Sequence, residues 1–128
     1  MDKVVHFEIP VEDFERAKEF YTKAFDWKLE SYPKMEYVIA RSVEIDEKTH
    51  MPKQPGAING GMLKRKSPIN NPVITINVED IDKSIELIKK SCGEIVMDKF
   101  QVGDFGLSAY FKDSEGNILG IWQELKKH

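Results

Sequence analysis

One cysteine, no long apolar run and no excess of positive charge restrict what this 128-residue chain can be. With Cys92 alone there can be no internal disulfide and no cysteine-based metal cluster. Cys92 lies near the end of a helical pattern, where a small buried hydrophobe is expected rather than a nucleophile. Lys and Arg number 19 against 22 Asp and Glu, and the net charge is -3. The basic residues are scattered rather than set beside aromatics, which argues against nucleic acid as a partner. No stretch approaches the roughly 20 apolar residues of a membrane span. The opening MDKVVHFEIP meets Pro10 before any apolar run of signal-peptide length, so a cytoplasmic protein without a membrane partner is expected. There is no Ser-His-Asp order, Cys-His pair or dinucleotide fingerprint in a fitting context. GAINGG at Gly56 to Gly61 is glycine-rich but precedes a strand pattern rather than a helix, so it does not read as a phosphate loop.

What is present is a repeat. HFEIPVEDFERAKEFY from His6 and VITINVEDIDKSIELI from Val73 superpose at a shift of 67 residues, Ile9 falling on Ile76. The same shift sets Val11 on Val78, Glu12-Asp13 on Glu79-Asp80, Arg16 on Lys83 and Phe20 on Leu87. Histidine appears in the first copy only, at His6, and Val73 stands in its place in the second.

Each copy opens with period-2 alternation: Val5, Phe7 and Ile9 against Val4, His6 and Glu8, then Ile74 and Ile76 against Val73, Thr75 and Asn77. Helical stripes follow. Phe14, Ala17, Phe20, Tyr21, Ala24 and Phe25 form one; Ile81, Ile85, Ile88 and Cys92 form the other. Asp13 and Asp80 stand at N-cap positions, and Gly93 is placed to end the second helix. Three strand-like runs follow each helix: Trp27 to Ser31, Glu36 to Val43 and Ala57 to Lys64, then Glu94 to Met97, Leu107 to Lys112 and Ile118 to Gln123. DSEGN at Asp113 to Asn117 predicts a tight hairpin turn. Glu44 to Gly56 reads as a long loop or flap and Lys64 to Pro72 as a connector.

This order of elements, with HFEIPVEDFERAKEFY near the start and YFKDSEGNILGIWQ near the end, resembles the vicinal oxygen chelate superfamily. That group holds glyoxalase I, bleomycin-resistance proteins and extradiol dioxygenases. The resemblance implies an α+β fold of tandem βαβββ modules curling into a mixed half-barrel sheet with the helices outside. Residues 1–128 would form one such domain, with module 1 at about 1–65 and module 2 at about 71–125, and a homodimer is implied.

Metal-dependent members of that group hold a divalent ion with a His or Gln on each opening strand and a Glu on each closing strand. The matching positions here are His6, Val73, Gly61 and Gly120, and three of these four side chains offer no donor. His50 on the flap and Glu8 beside His6 are the other donors, and neither stands at a family position. A metal is therefore disfavoured and no cofactor is expected. The resemblance thus implies a cavity protein for a small, partly apolar organic ligand, lined by Asn59, Gly61, Thr75, Asn77, Gly120 and Trp122. The alternative is an enzyme of lyase, isomerase or dioxygenase type using His6 with or without a metal. His6 and Glu8 share a strand face and form the best acid-base pair. Among the aromatics, Trp122 is the expected ligand contact, while Trp27, Tyr37, Phe105 and Tyr110 suit either a ligand or the core. A third reading is a dimeric interaction domain with an occluded cavity.

Overall fold

A computed structural model describes residues 1–125; His128, expected to be a frayed end, lies outside them. The chain divides into two compact units. One is His6–Pro72, and the other takes Met1–Val5 together with the chain from Val73 onward. One break falls between Pro72 and Val73, at the end of the expected connector, and a second between Val5 and His6 gives the start of the chain to the other unit.

The first unit holds most of β1 (Lys3–Val11), α1 (Phe14–Phe25), β2 (Lys28–Tyr32), β3 (Tyr37–Arg41) and β4 (Gly60–Lys64). β1 runs parallel to β4, and β3 is antiparallel to both β4 and β2. The second unit repeats the plan with β5 (Val73–Asn77), α2 (Ile81–Lys90), β6 (Glu94–Val102), β7 (Gly106–Lys112) and β8 (Ile118–Glu124). There β5 runs parallel to β8, and β7 is antiparallel to β8 and β6. Each unit is thus a βαβββ module with a mixed four-stranded sheet, and the chain is of the α+β class.

The two helices start as their sequences predict. The Asp13 carboxylate accepts from the Arg16 N–H at 3.0 Å, and that bond pulls the carboxyl below its ordinary range. Asp80 accepts from the N–H groups of Asp82 and Lys83. Each helix packs its apolar arc on one sheet face. Phe14, Ala17 and Tyr21 meet Ile9, Val11, Val38 and Met62 in the first unit. Ile81, Ile85 and Ile88 meet Ile76, Val78, Ala109, Phe111, Leu119 and Ile121 in the second. The β7–β8 turn forms at DSEGN, where Asp113 accepts from the N–H groups of Glu115 and Asn117 and Gly116 takes a φ of 85°.

Several expectations need correction. Phe20 is 57% and Phe25 60% exposed, because the apolar stripe of α1 is broader than the arc its sheet can cover, and Ile74 on β5 faces solvent too. Cys92 is exposed rather than buried. It occupies the left-handed position after α2, with φ 72°, which had been expected for Gly93. Gly93 follows and donates its N–H to the Ile88 carbonyl. The run from Glu94 continues to Val102, whereas β4 begins at Gly60 instead of Ala57. The flap is tied into a hairpin-like loop by bonds of the Asp46 carboxylate to the N–H groups of Lys48 and Thr49 and by the Lys53 N–H to Glu44.

Candidate functional site

Strand register sets Gly61 and Gly120 on equal terms. β1 aligns Glu8 with Gly61, and β3 sets Ile39 on the other side of that glycine. β5 aligns Thr75 with Gly120, and β7 sets Tyr110 on its other side. The repeat shift that superposes Ile9 on Ile76 also superposes Glu8 on Thr75. Gly61 and Gly120 are therefore equivalent places, and His6 and Val73 lie two residues upstream on the same strand faces.

In the first unit the corner is closed by Tyr37. Its position pairs with Leu63, one row beyond Gly61 on the same face, and the ring leans back across the glycine. A Cβ built on Gly61 would fall within the phenol. The opposite face repeats the device, because a Cβ on Gly60 would run into Phe7. The Tyr37 hydroxyl lies 2.8 Å from His6 Nε2 and donates to Glu8 Oε2 at 2.9 Å. His6, Tyr37 and Glu8 thus form one hydrogen-bonded chain across β1 and β3. Glu8 is only 8% exposed and His6 is half-buried. Burial holds the imidazole below its ordinary range, against the opposing pull of the Glu8 carboxylate. At neutral pH the ring is an uncharged base with one donor and one acceptor nitrogen.

The second unit builds a neutral corner. Thr75 and Ser108 are buried, and Asn77 and Trp122 share a row on the same face. The Trp122 ring rests against Gly106, where an added Cβ would come within 2.5 Å of it. Around Gly120 there is more room: an added Cβ would meet Thr75 Oγ1 at 3.2 Å and the Tyr110 ring at 3.5 Å. The Asn77 side-chain oxygen is buried and unbonded among the described residues.

Of the side chains expected to line a site, the structure joins His6 with Glu8 and sets Gly61 beneath Tyr37. It places Thr75, Asn77, Gly120 and Trp122 on one face of the second unit. Asn59 instead serves the backbone, its side-chain oxygen accepting the N–H groups of Ser42 and Val43 at 2.9 and 3.0 Å and so fastening the end of β3. Trp27 sits on the helix side of its sheet, stacked on Tyr21 and close to Phe7. Tyr37 suited either a ligand or the core in the sequence, and it is the centre of the first corner. Its signal was the paired glycine in NGGML, since a strand glycine invites a cross-strand aromatic to cover it.

The residues at the four chelate positions do not fit a chelated divalent ion. His6 Nε2 is engaged by the phenol, Val73 and Gly120 present no donor, and the place of a side chain at Gly61 is taken. No cluster of three or more His, Cys, Asp or Glu side chains able to hold a metal occurs among the described residues. Nor is any helix among them long and apolar enough to cross a membrane.

Comparisons with known proteins agree with this architecture. Residues 3–41 match the bleomycin resistance protein-like N-terminal family. A glyoxylase-like domain-containing protein of Didymella fabae is 30% identical over 119 residues, which cover 89% of this chain and 88% of that protein. The putative glyoxylase CFP32 of Mycobacterium tuberculosis is 30% identical over 115 residues, covering 87% of this chain; the chain spans only 41% of that relative. Among solved structures, methylmalonyl-CoA epimerase of Streptomyces coelicolor, in complex with 2-nitronate-propionyl-CoA, shares the fold at a TM-score of 0.65. Its sequence identity is 14%, over 97% of this chain and 98% of that one. Register, repeat and relatives converge, and the chain belongs to the glyoxalase and bleomycin-resistance group of the vicinal oxygen chelate superfamily.

Proposed function

We propose that this chain binds a small, partly apolar organic molecule without a chelated divalent metal. The observation that carries the reading is Tyr37, whose phenol takes the space of a ligand side chain at Gly61 and engages His6 Nε2. Support also comes from the second unit, whose face combines Trp122 and Tyr110 with the uncharged polar groups of Thr75, Asn77 and Ser108. Such a mixture suits a ligand with a flat apolar body and a few polar atoms. Relatives named as glyoxylases, and a neighbour solved with a CoA ester analogue, are consistent with small-molecule use. A cytoplasmic homodimer is part of the same reading, and sedimentation velocity checks its stoichiometry.

The test pairs metal analysis with a probe. Titration with Zn²⁺, Ni²⁺, Mn²⁺ and Fe²⁺ is expected to leave the thermal transition where it was, while an anilinonaphthalene sulfonate probe quenches tryptophan fluorescence saturably. Tight stoichiometric metal that is lost in His6→Ala would overturn the reading.

A second reading is favoured by one observation, the hydrogen-bonded chain of His6, Tyr37 and Glu8, in which burial holds the imidazole below its ordinary range. An imidazole kept neutral and fixed by hydrogen bonds is equipped to take a proton from a bound substrate. An isomerase or lyase step based on His6 would then need no metal. His6→Ala abolishing turnover with little change in melting supports it, and parallel loss of fold and activity counts against it.

A further inference from the structure

We infer that Tyr37 is a positioning residue that makes His6 a one-sided hydrogen-bond acceptor, leaving imidazole Nδ1 to receive an O–H or N–H of the ligand. The inference rests on the small-molecule reading above and specifies the chemistry of the molecule it would take.

The argument is a count of hydrogens. A phenol has one, and that of Tyr37 goes to Glu8 Oε2 at 2.9 Å. At 2.8 Å from His6 Nε2 the phenol oxygen must then be the acceptor, so Nε2 carries the imidazole hydrogen. A neutral imidazole has only one N–H, which leaves a bare lone pair on Nδ1. No hydrogen bond to Nδ1 is made among the described residues. The reverse polarity, with the phenol donating to Nε2, would turn the phenol oxygen's lone pairs toward the Glu8 carboxylate at 2.9 Å. That contact is repulsive unless Glu8 itself carries a proton. Both nitrogens are thus assigned by one side chain that reaches across β4 from β3. Gly61 makes the arrangement feasible, because a side chain there would displace the phenol.

A lone pair selects donors. Phenols, enols, protonated acids and amides present a hydrogen to Nδ1, whereas an ether or a fully ionised anion offers only another lone pair. The expected ligand class is a neutral or weakly acidic molecule bearing an O–H or N–H beside an apolar body.

Nitrogen-15 spectra of the full chain with labelled histidine test this directly, His6 being assigned by its loss in His6→Gln. The expected spectrum shows His6 as the Nε2–H tautomer. Tyr37→Phe, which keeps the ring over Gly61, should let the tautomers mix. Glu8→Gln can present an N–H to the phenol and should admit the reverse tautomer. Phenol added at millimolar concentration should shift the Nδ1 resonance several-fold more than anisole, its methyl ether. An Nδ1–H tautomer in the unmodified protein, an unchanged spectrum in Tyr37→Phe, or equal or absent shifts with the two probes would overturn the inference. Failure of the underlying reading looks different: a stoichiometric divalent metal would perturb both nitrogens whichever tautomer the metal-free protein holds.

Discussion

Gly61 and Gly120 hold the same register place in their two units, yet one is roofed by a side chain and the other is not. In the first unit Tyr37 reaches back one row to lie across the glycine, and its hydroxyl joins His6 to Glu8. In the second, Tyr110 stands directly beside Gly120 and leaves a gap in which a methyl group nearly fits. The partners differ accordingly. His6 and Glu8 are ionisable, whereas their equivalents, Val73 and Thr75, are not. The two modules thus share a backbone plan while one sets ionisable groups beside its glycine and the other uncharged ones. The same glycine serves two ends: a seat for an aromatic ring in one unit and a nearly filled niche between Thr75 and Tyr110 in the other.

The comparison breaks most sharply under alanine substitution. Gly61→Ala must push the phenol out of its place, and overpacking of that kind costs about 3 kcal/mol, near the upper end of the usual range. Gly120→Ala needs the Thr75 oxygen to give by only a few tenths of an ångström and meets a ring at ordinary contact distance, so its cost should stay below about 1 kcal/mol. Urea denaturation of both variants measures the difference, and equal costs would show that Tyr37 yields as readily as Thr75. The roof can then be tested as the cause. In a Tyr37→Ala background, Gly61→Ala should lose most of its penalty, a coupling of about 2 kcal/mol in a double-mutant cycle. Additive effects would place the strain in the backbone instead.

Most of each module could be read from the chain because local patterns fix it. Phe7 and Ile9 alternate with His6 and Glu8, the helices follow Asp13 and Asp80, and DSEGN carries its own turn chemistry. Burial was harder to read. Phe20, Phe25, Ile74 and Cys92 are as apolar as their neighbours, and only packing decides which side of a helix or strand has something to cover it. The family pattern assigns His6, Val73, Gly61 and Gly120 to the chelate positions, and the register sets Gly61 and Gly120 in equivalent places. Tyr37 was not legible as a site residue. Its part depends on β3 pairing Tyr37 with Leu63 and β1 pairing Glu8 with Gly61, two non-local registers that no periodicity within one strand reveals. The backbone role of Asn59 was hidden for a related reason: its side-chain oxygen accepts from Ser42 and Val43, a contact across 16 or 17 residues.

Acid sharpens the contrast between the two units, with a smaller effect. Burial lowers the folded-state basicity of His6 below its ordinary value of 6.5, more than the Glu8 carboxylate restores it. Above that value both folded and unfolded chains hold a neutral ring, and the stabilising difference is complete. As pH falls below it, the unfolded state takes up the proton first, so stability declines until the pH passes the folded-state value. The slope cannot exceed one proton per molecule. Val73, at the equivalent place, contributes nothing. Comparing urea unfolding at pH 7.5 and pH 5.0 should show a smaller acid loss in His6→Gln than in the unmodified protein. Identical losses would mean that the imidazole is as easily protonated in the fold as outside it.

The ends of the two helices give the smallest test. α1 closes on Asp26 at φ 59° and α2 on Cys92 at φ 72°, both in the left-handed region. The Asp26 N–H reaches the Thr22 carbonyl at 2.9 Å, and the Trp27 N–H reaches Tyr21. Aspartate tolerates this conformation better than most residues with a side chain, because its short polar group can satisfy nearby backbone; cysteine has no such compensation. Glycine removes the Cβ conflict at either site but adds freedom to the unfolded chain. The net result should favour the second unit. Cys92→Gly is expected to stabilise by about 0.5 kcal/mol, and Asp26→Gly to change stability by no more than a few tenths. Cys92 is exposed, so its replacement gives up no buried packing. A larger gain at Asp26 than at Cys92 would mean that the aspartate strains its turn as much as the thiol does, removing the asymmetry between the two helix ends.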